Sequence, residues 1–290
     1  MREAAKAGKR VVFYDPLFWF WPVVPPVYVP GMLYLCQNFP GVMERVRALP
    51  PHVGANVRVV APPSLVCPSP RAAGAGPRLM INLCGFRNPI RHLDGYTEIV
   101  MERLQDGLVG ARRWERVTVV GSRAEISRIE LRDERIVCRS LPHREMLRCI
   151  STSDLVITSP GLNSAMEAMS LGVPVAFLPP QNATQARQLC HFAEHGVAPA
   201  SLGWDSLAGE CMRWHELDEV GAIEELSRMM AICASSEARL RALAAALSET
   251  LSLDAPALTT LAARQADFFA SLSRGGHGSL VEVLAAEGIG

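Results

Sequence analysis

Side chains able to bind a phosphorylated ligand concentrate in one loop of this 290-residue sequence, Thr158 to Ser164. The loop follows an apolar run of strand length and precedes a helical pattern. Gly161 lets an anion approach the backbone, and Asn163 or Ser164 can cap the helix or donate to the anion. Because the first N–H groups of a helix lack intrahelical partners, we predict a diphosphate-binding loop at Gly161, Leu162, Asn163 and Ser164.

Glu167 follows Asn163 by about one helical turn, so both lie on the same edge of the predicted helix. A carboxylate at this position can accept hydrogen bonds from both hydroxyls of a ribose. Alternatively, Glu167 only complements the positive helix end and Asn163 only caps the helix. The loop by itself leaves both interpretations open.

A second polar segment follows the next apolar run, 174–178. It contains Gln181, Asn182, Thr184 and Gln185, which are more hydrogen-bonding groups than a helix cap requires. Neutral amides suit sugar hydroxyls, which both donate and accept. These four residues are therefore predicted to bind a sugar.

Pro142 and His143 precede a third helical pattern, at the end of another strand. Free backbone groups there could pair with a flat base, and we therefore predict a base-binding position. His143 itself fits a helix-start residue better than a catalyst.

The elements that carry these segments alternate between strand and helix patterns. Such alternation predicts an α/β fold with a Rossmann-like parallel sheet covered by helices on both faces. Predicted strands are 79–84, 116–120, one near 136, 155–158 and 174–178, and predicted helices are 94–106, 143–150, 163–171, 183–195, 216–231, 236–251 and 258–272. Earlier strand-like runs are 11–14, 32–36 and 57–61, with one helical pattern at 41–49.

A proline-rich and Ala/Gly-rich stretch, 62–77, is typical of an interdomain linker. We therefore expect a partial amino-terminal α/β domain with its linker at 1–75. A nucleotide-sugar donor-binding domain at 76–272 and a tail at 273–290 would follow.

Composition narrows the possible partners. The 29 basic and 29 acidic side chains cancel without long runs, which argues against nucleic acid as a partner. The eight cysteines include no C-x-x-C pair, so buried reduced thiols are expected rather than a metal site. The first residues fit neither a signal peptide nor a membrane span, which predicts a cytoplasmic protein.

Three segments together resemble the carboxyl-terminal domain of GT-B glycosyltransferases: LPHREML, DLVITSPGLNSAMEAMSLGVPVAFLPPQNATQ and HFAEHGVA. Members include the UDP-glycosyltransferases and the peptidoglycan N-acetylglucosaminyl transferase, and the resemblance spans roughly residues 78 to 200. It implies that 161–164 hold the donor diphosphate, that Glu167 binds the ribose, and that Thr184 and Gln185 bind the donor sugar. Thr184 stands where many members have Asp, and Pro160 where some have His or Gly. The donor sugar is therefore not specified.

Cytosylglucuronate synthase-like proteins are similar in three shorter motifs: SPGL, LPPQN and the N-x-x-G-x-R-N-P run at 82–89. This resemblance implies UDP-glucuronate as donor and cytosine as acceptor. Arg87 and Asn88 would then contact the diphosphate from the opposite side, since a guanidinium matches phosphate oxygens. Arg87 could equally be a solvent-facing loop charge.

The resemblance predicts a metal-independent, inverting hexosyltransferase. It would use a UDP-sugar as substrate, no cofactor, and a small acceptor such as a nucleobase or natural product. Two alternatives stay open: a non-catalytic GT-B-like subunit that binds or activates a glycosyltransferase, and an enzyme that hydrolyses the nucleotide-sugar.

Only about seventy residues precede the linker, fewer than an acceptor-side domain needs. The missing half could lie upstream, or a partner chain or homodimer could supply it. Asp15 is a candidate general base, although the Asp-Pro pair also starts an ordinary Asx turn. The nearby aromatic residues Tyr14 and 18–21 fit core packing better than a sugar-stacking platform.

Overall fold

The computed structural model describes residues 2–21, 31–65, 76–83, 95–198 and 202–289. The chain forms two compact units. The first contains Met1–Ser64 together with Asp267–Gly290, and the second contains Leu65–Ala266. The two units are described separately.

Eight strands and thirteen α-helices form within the described residues. The strands are β1 Val12–Asp15, β2 Leu33–Gln37, β3 Val57–Val60, β4 Arg78–Asn82, β5 Arg116–Val120, β6 Ile136–Arg139, β7 Leu155–Thr158 and β8 Val175–Phe177. The helices are α1 Arg2–Lys6, α2 Val42–Arg47, α3 Pro51–Gly54, α4 Tyr96–Gly110, α5 Arg123–Ile126, α6 His143–Ser151, α7 Leu162–Ser170, α8 Ala183–Glu194, α9 Trp204–Ala208, α10 Glu219–Ala234, α11 Glu237–Leu251, α12 Ala255–Arg274 and α13 Leu280–Ala286. A short 3-10 helix spans Trp214–Glu216.

The first unit is built on a three-stranded parallel sheet in the order β1-β2-β3. The central strand β2 is buried along its whole length. Three aromatic residues of the predicted patch, Phe18, Trp19 and Phe20, are buried, as core packing requires, whereas Trp21 is partly exposed. The core interpretation of this patch therefore holds for three of its aromatic residues.

The carboxyl-terminal residues belong to the first unit. His277 N donates to Val59 O at 2.7 Å, and Ala61 N donates to Gly278 O at 2.8 Å, so this segment hydrogen-bonds to β3 and the residue after it. Helix α13 begins with a capping box and places Val283 against Leu33 and Val60. The sequence predicted a separate tail at 273–290, whereas in the structure these residues pack as part of the first unit.

The second unit contains a five-stranded parallel sheet in the order β6-β5-β4-β7-β8. Every described pairing in it is parallel, and helices flank the sheet, which confirms the predicted α/β class. Strand β7 is buried throughout, and so are the last four residues of β4. The apolar runs that predicted these strands reflect burial on both faces.

Side-chain hydrogen bonds fasten the edge strand β8 within the second unit. The amide of Gln265, from α12, accepts from Val175 N at 2.8 Å and donates to Val175 O at 2.7 Å. It also donates to Val197 O at 2.8 Å. One fully buried glutamine thereby satisfies backbone groups from two segments far apart in sequence.

Thiol burial differs from the prediction. The six described cysteines are free; Cys36 and Cys233 are buried, but Cys190 and Cys211 are exposed. Cys190 lies within α8 and Cys211 lies beyond the end of α9, so an apolar sequence context alone did not determine which thiols are buried. Within the described ranges, no helix is long and apolar enough to cross a membrane.

Candidate functional site

The ends of three adjacent strands bring the predicted ligand-binding segments together. Asn82 of β4 is in register with Thr158 of β7, and Thr158 is in register with Phe177 of β8. All three strands run in the same direction, so the loops that follow β7 and β8 leave the same edge of the sheet. Ligands of open parallel sheets bind at this carboxyl edge.

The loop after β7 leads directly into α7. Gly161 is the residue that precedes the first turn, with extended φ and ψ of −85° and 140°, and no described side chain caps this turn. Of the two roles considered for Asn163 and Ser164, capping the helix or donating to an anion, capping does not occur, because both residues lie inside the helix. Asn163 is exposed, and the outward-facing N–H groups of the first turn are left to water or to an anion.

Ser164 is positioned by a residue that sequence reasoning did not assign to the site. The fully buried Asn82 donates through Nδ2 to Ser164 Oγ at 2.8 Å and to Thr158 Oγ1 at 3.3 Å. Since Ser164 Oγ accepts this bond, its own proton can point elsewhere. The only sequence signal for Asn82 was its place at the start of the N-x-x-G-x-R-N-P run.

Glu167 and His143, the residues predicted at the ribose and base positions, contact each other. The Nε2 atom of His143 lies 2.7 Å from Glu167 Oε1. The other oxygen, Oε2, is buried and has no hydrogen-bond partner among the described residues. His143 is the first residue of α6, and Pro142 precedes it with extended geometry. The carboxylate thus has one oxygen oriented by a ring and one without a donor.

Helix α8 begins with a self-contained cap. Asn182 Oδ1 accepts from Gln185 N at 2.8 Å, and Gln185 Oε1 accepts from Gln181 N at 2.9 Å. These two predicted sugar-binding side chains therefore have their oxygens engaged in the turn. Thr184 is half-buried, and Gln181 is buried with its side-chain amide beside the Tyr96 hydroxyl.

Two aromatic side chains hold the turn that carries Gln181. Tyr96 donates to Pro179 O at 2.5 Å, and Trp204 Nε1 donates to Pro180 O at 2.9 Å. Burial raises the pKa of Tyr96 far above its ordinary value, so the phenol stays protonated and keeps its donor. The turn after β8 is thus fixed by bonds from α4 and α9.

The remaining predicted residues lie elsewhere. Arg87 and Asn88 fall outside the described residues. Asp15 belongs to the first unit and is buried; its Oδ1 accepts from Leu17 N at 2.7 Å and its Oδ2 from Tyr34 at 2.5 Å. The Leu17 bond is the Asx turn expected from the Asp-Pro pair. Both oxygens of Asp15 are therefore engaged, and its role as a base stays a prediction.

The parts of the chain that the structure describes were compared with what a metal site needs. There, no three His, Cys, Asp or Glu side chains are grouped so that they could hold a metal ion.

Comparisons with known proteins give structural similarities only. No protein-family model matches the chain, and no curated protein matches its sequence. Arabidopsis thaliana UGT89C1 complexed with UDP is 14% identical with a TM-score of 0.49, and covers 93% of this chain and 69% of its own. Spinosyn rhamnosyltransferase SpnG complexed with thymidine diphosphate is 17% identical with a TM-score of 0.41, at 86% and 65% coverage. The solved structures to which this chain is similar thus include glycosyltransferases and proteins that hold a nucleoside diphosphate.

Proposed function

We propose that the second unit binds a UDP-sugar donor and that the protein transfers its sugar to a small acceptor. The nucleotide-sugar is a substrate in this proposal. The motif resemblance makes UDP-glucuronate and cytosine the first donor and acceptor to test. The GT-B resemblance of residues 78 to 200 and the arrangement of Glu167, His143 and the first turn of α7 support the proposal.

The observation that carries the proposal is the unpartnered Oε2 atom of Glu167. A buried carboxylate oxygen without a donor costs folding free energy, on the order of 1 to 3 kcal/mol or more. A ribose supplies hydroxyl donors, which would satisfy this oxygen on binding. His143, at 2.7 Å from the other oxygen, holds the carboxylate in one orientation.

The first turn of α7 supplies the complementary group for a diphosphate. Uncapped N–H groups and the positive end of the helix dipole both favour an anion there. Asn82 leaves the Ser164 hydroxyl free to donate to a phosphate oxygen. Because the leaving diphosphate gains negative charge during transfer, the same groups would stabilise the transition state.

The proposed reaction is a single displacement with inversion. An acceptor atom forms a bond to the anomeric carbon while the bond from that carbon to the diphosphate oxygen breaks. The electron pair leaves with UDP, and the acceptor loses its proton to a base. Gln181, buried on the turn between β8 and α8, is the proposed hydrogen-bonding residue for a sugar hydroxyl.

The donor site is tested by calorimetric titration with UDP. Glu167→Gln keeps the shape but removes the charge, and we expect about tenfold to a hundredfold weaker binding from the loss of a charged hydrogen bond. Glu194→Gln is the matched control, because Glu194 also pairs with a histidine, His191, at 3.3 Å. Equal UDP affinity in all three proteins would contradict the site.

Transfer is tested separately by product analysis. UDP-glucuronate, UDP-glucose and UDP-N-acetylglucosamine are each incubated with the protein, with and without cytosine. Acceptor-dependent release of UDP together with a glycosylated acceptor supports transfer. Release of UDP to water without an acceptor product indicates hydrolysis, and UDP binding without any turnover across a panel of acceptors indicates a binding subunit.

A further inference from the structure

One sheet face of the second unit carries arginines where a parallel sheet is normally apolar and covered. In β5, Arg116 and Thr118 lie on this face, and in β6, Val137 and Arg139 do. Arg116, Val137 and Arg139 are exposed to solvent. This part of the sheet therefore presents a charged surface instead of a core.

Strand register places the arginines side by side. Arg78 of β4 is in register with Arg116 of β5, and the register of β5 with β6 places Thr118 beside Val137 and Val120 beside Arg139. Neighbouring strands lie about 4.8 Å apart, so Arg78 and Arg116 are adjacent like charges. Such pairs destabilise a sheet unless a counter-charge lies between them.

Helix α6 forms the opposite wall. Arg148, Glu145 and Cys149 from this helix line a cavity of about 420 Å³ together with the strand residues. The volume lies within the range of small-molecule sites, roughly 300 to 1,000 Å³. We refer to this cavity, lined by Arg78, Arg116, Arg139, Arg148 and Glu145, as the arginine groove.

The groove has an excess of positive charge. Four guanidinium groups face one carboxylate, Glu145, and no described acidic side chain forms an ion pair with any of the four. Other arginines of the same unit are paired: Arg135 with Asp133 at 2.5 Å, and Arg228 with Glu210 at 2.6 Å. Guanidinium groups bind phosphate oxygens in a bidentate manner, so the groove is built to receive several of them.

The arginine groove is separate from the loop between β7 and α7, which is proposed to bind the diphosphate. Arg78 and Arg116 begin their strands, whereas Asn82, which contacts Ser164 at the start of α7, ends β4. Four residues of extended strand span roughly 13 Å, and this distance separates Arg78 from the carboxyl edge. A single diphosphate is too short to contact both Arg78 and the first turn of α7.

We propose that the arginine groove is a second anion site, which takes a small phosphorylated molecule bearing at least two negative charges. Such a ligand would offset the like charges of Arg78 and Arg116 and bridge the sheet to α6 through Arg148. The site does not depend on the proposed glycosyl transfer.

Cys149 gives a local readout for occupancy. Its thiol lines the groove and is partly exposed, and burial raises its pKa, so alkylation is measured at mildly alkaline pH. The probe is inorganic pyrophosphate, titrated at constant ionic strength with sodium chloride as the balancing salt. Alkylation by iodoacetamide is followed for Cys149 and for the exposed Cys211 by mass spectrometry of the full chain.

We expect pyrophosphate to slow alkylation of Cys149 by at least about threefold, with Cys211 unchanged. In Arg116→Gln/Arg148→Gln, the pyrophosphate concentration for half-protection should rise at least about tenfold, because two charge-assisted contacts are lost. The matched control is Arg213→Gln/Arg241→Gln, which removes two exposed charges outside the groove lining and should protect like wild type.

Two outcomes would overturn the proposal. Either Cys149 is not protected at millimolar pyrophosphate, or protection survives in Arg116→Gln/Arg148→Gln. UDP titration of that variant separates the two sites: unchanged UDP affinity together with lost protection of Cys149 supports an independent groove. Parallel loss of both would place pyrophosphate in the donor site instead.

Discussion

Substituting Gly161 by alanine should change UDP affinity without changing the stability of the fold. Gly161 has φ −85° and ψ 140°, a conformation that alanine adopts without strain. A Cβ atom built there would meet Ser159 O at 3.9 Å and Ser159 Oγ at 4.0 Å, which are ordinary contacts. Nothing in the described protein therefore requires glycine at this position.

The change in stability can be bounded from two opposing effects. Alanine is a poorer residue than glycine before a helix, by up to about 1 kcal/mol. It also lowers the entropy of the unfolded chain, which stabilises the protein by about 0.4 to 1 kcal/mol. The two effects nearly cancel, so we expect the free energy of unfolding to change by less than about 1 kcal/mol.

UDP affinity should respond differently. A methyl group at the uncapped start of α7 keeps a diphosphate from approaching the backbone N–H groups. The loss of one such charged hydrogen bond, about 1.5 to 3 kcal/mol, weakens binding roughly tenfold to a hundredfold. Calorimetric titration with UDP gives the affinity, and urea denaturation followed by circular dichroism gives the stability.

Gly110→Ala is the control for this experiment. Gly110 lies at the end of α4 in the same unit, and a Cβ atom there would meet nothing within 4 Å. Its variant should bind UDP like wild type. If Gly161→Ala also binds UDP with wild-type affinity while remaining folded, the backbone at Gly161 does not contact the diphosphate, and the site assignment is refuted.

Three further changes test other parts of the structure. Asn82→Leu removes the hydrogen bonds to Ser164 and Thr158. It should weaken UDP binding about threefold to tenfold and lower the free energy of unfolding in urea by about 1 to 3 kcal/mol. Unchanged UDP affinity would exclude a positioning role for Asn82. Gln265→Leu leaves three backbone groups of Val175 and Val197 without their hydrogen-bond partner. We therefore expect the free energy of unfolding to fall by about 3 kcal/mol or more, and a fall below about 1 kcal/mol would contradict the structural importance of these bonds. Burial, and then the charge of Asp15, raise the pKa of Tyr14 from 10.0 to about 12, so its stabilising contribution is complete below pH 10 and is lost as the pH rises toward 12. Thermal denaturation from pH 9 to 12 should show a smaller alkaline loss in Tyr14→Phe than in wild type, and identical profiles would count against the shift.

Helices and strands could be predicted where a pattern of apolar and polar residues continued over enough positions. The strands β5 and β7 match the predicted 116–120 and 155–158 because each is a short apolar run bounded by polar residues. By contrast, α5 and α9 have four and five residues, fewer than two turns, so no helical period could develop. The packing of α13 beside β3 is a contact across more than 200 residues, and local patterns contain no information about it.

The candidate site was predictable in its loops but not in its cross-strand contacts. The places of Gly161 before α7 and of Glu167 within it could be predicted because a strand-to-helix loop and a helical turn are local geometry, and their ligands stay a prediction. The role of Asn82 depends on β4 pairing with β7, two strands that are separated in sequence by β5 and β6. Strand order is set by tertiary packing, so this contact required the structure.

The starts of α7 and α8 differ in whether side chains satisfy the free backbone N–H groups of the first turn. At α8, Asn182 and Gln185 satisfy the backbone of their own turn, as a cap is expected to do. At α7, the residue before the first turn is a glycine without a side chain, and Ser164 is turned toward Asn82 instead of toward the helix backbone. An uncapped helix start costs stability unless another group satisfies its N–H donors. The combination of this unsatisfied start with the unpartnered carboxylate oxygen of Glu167, on the same helix, favours a ligand that is anionic at one end and carries hydroxyl groups at the other. A nucleoside diphosphate has this arrangement of groups.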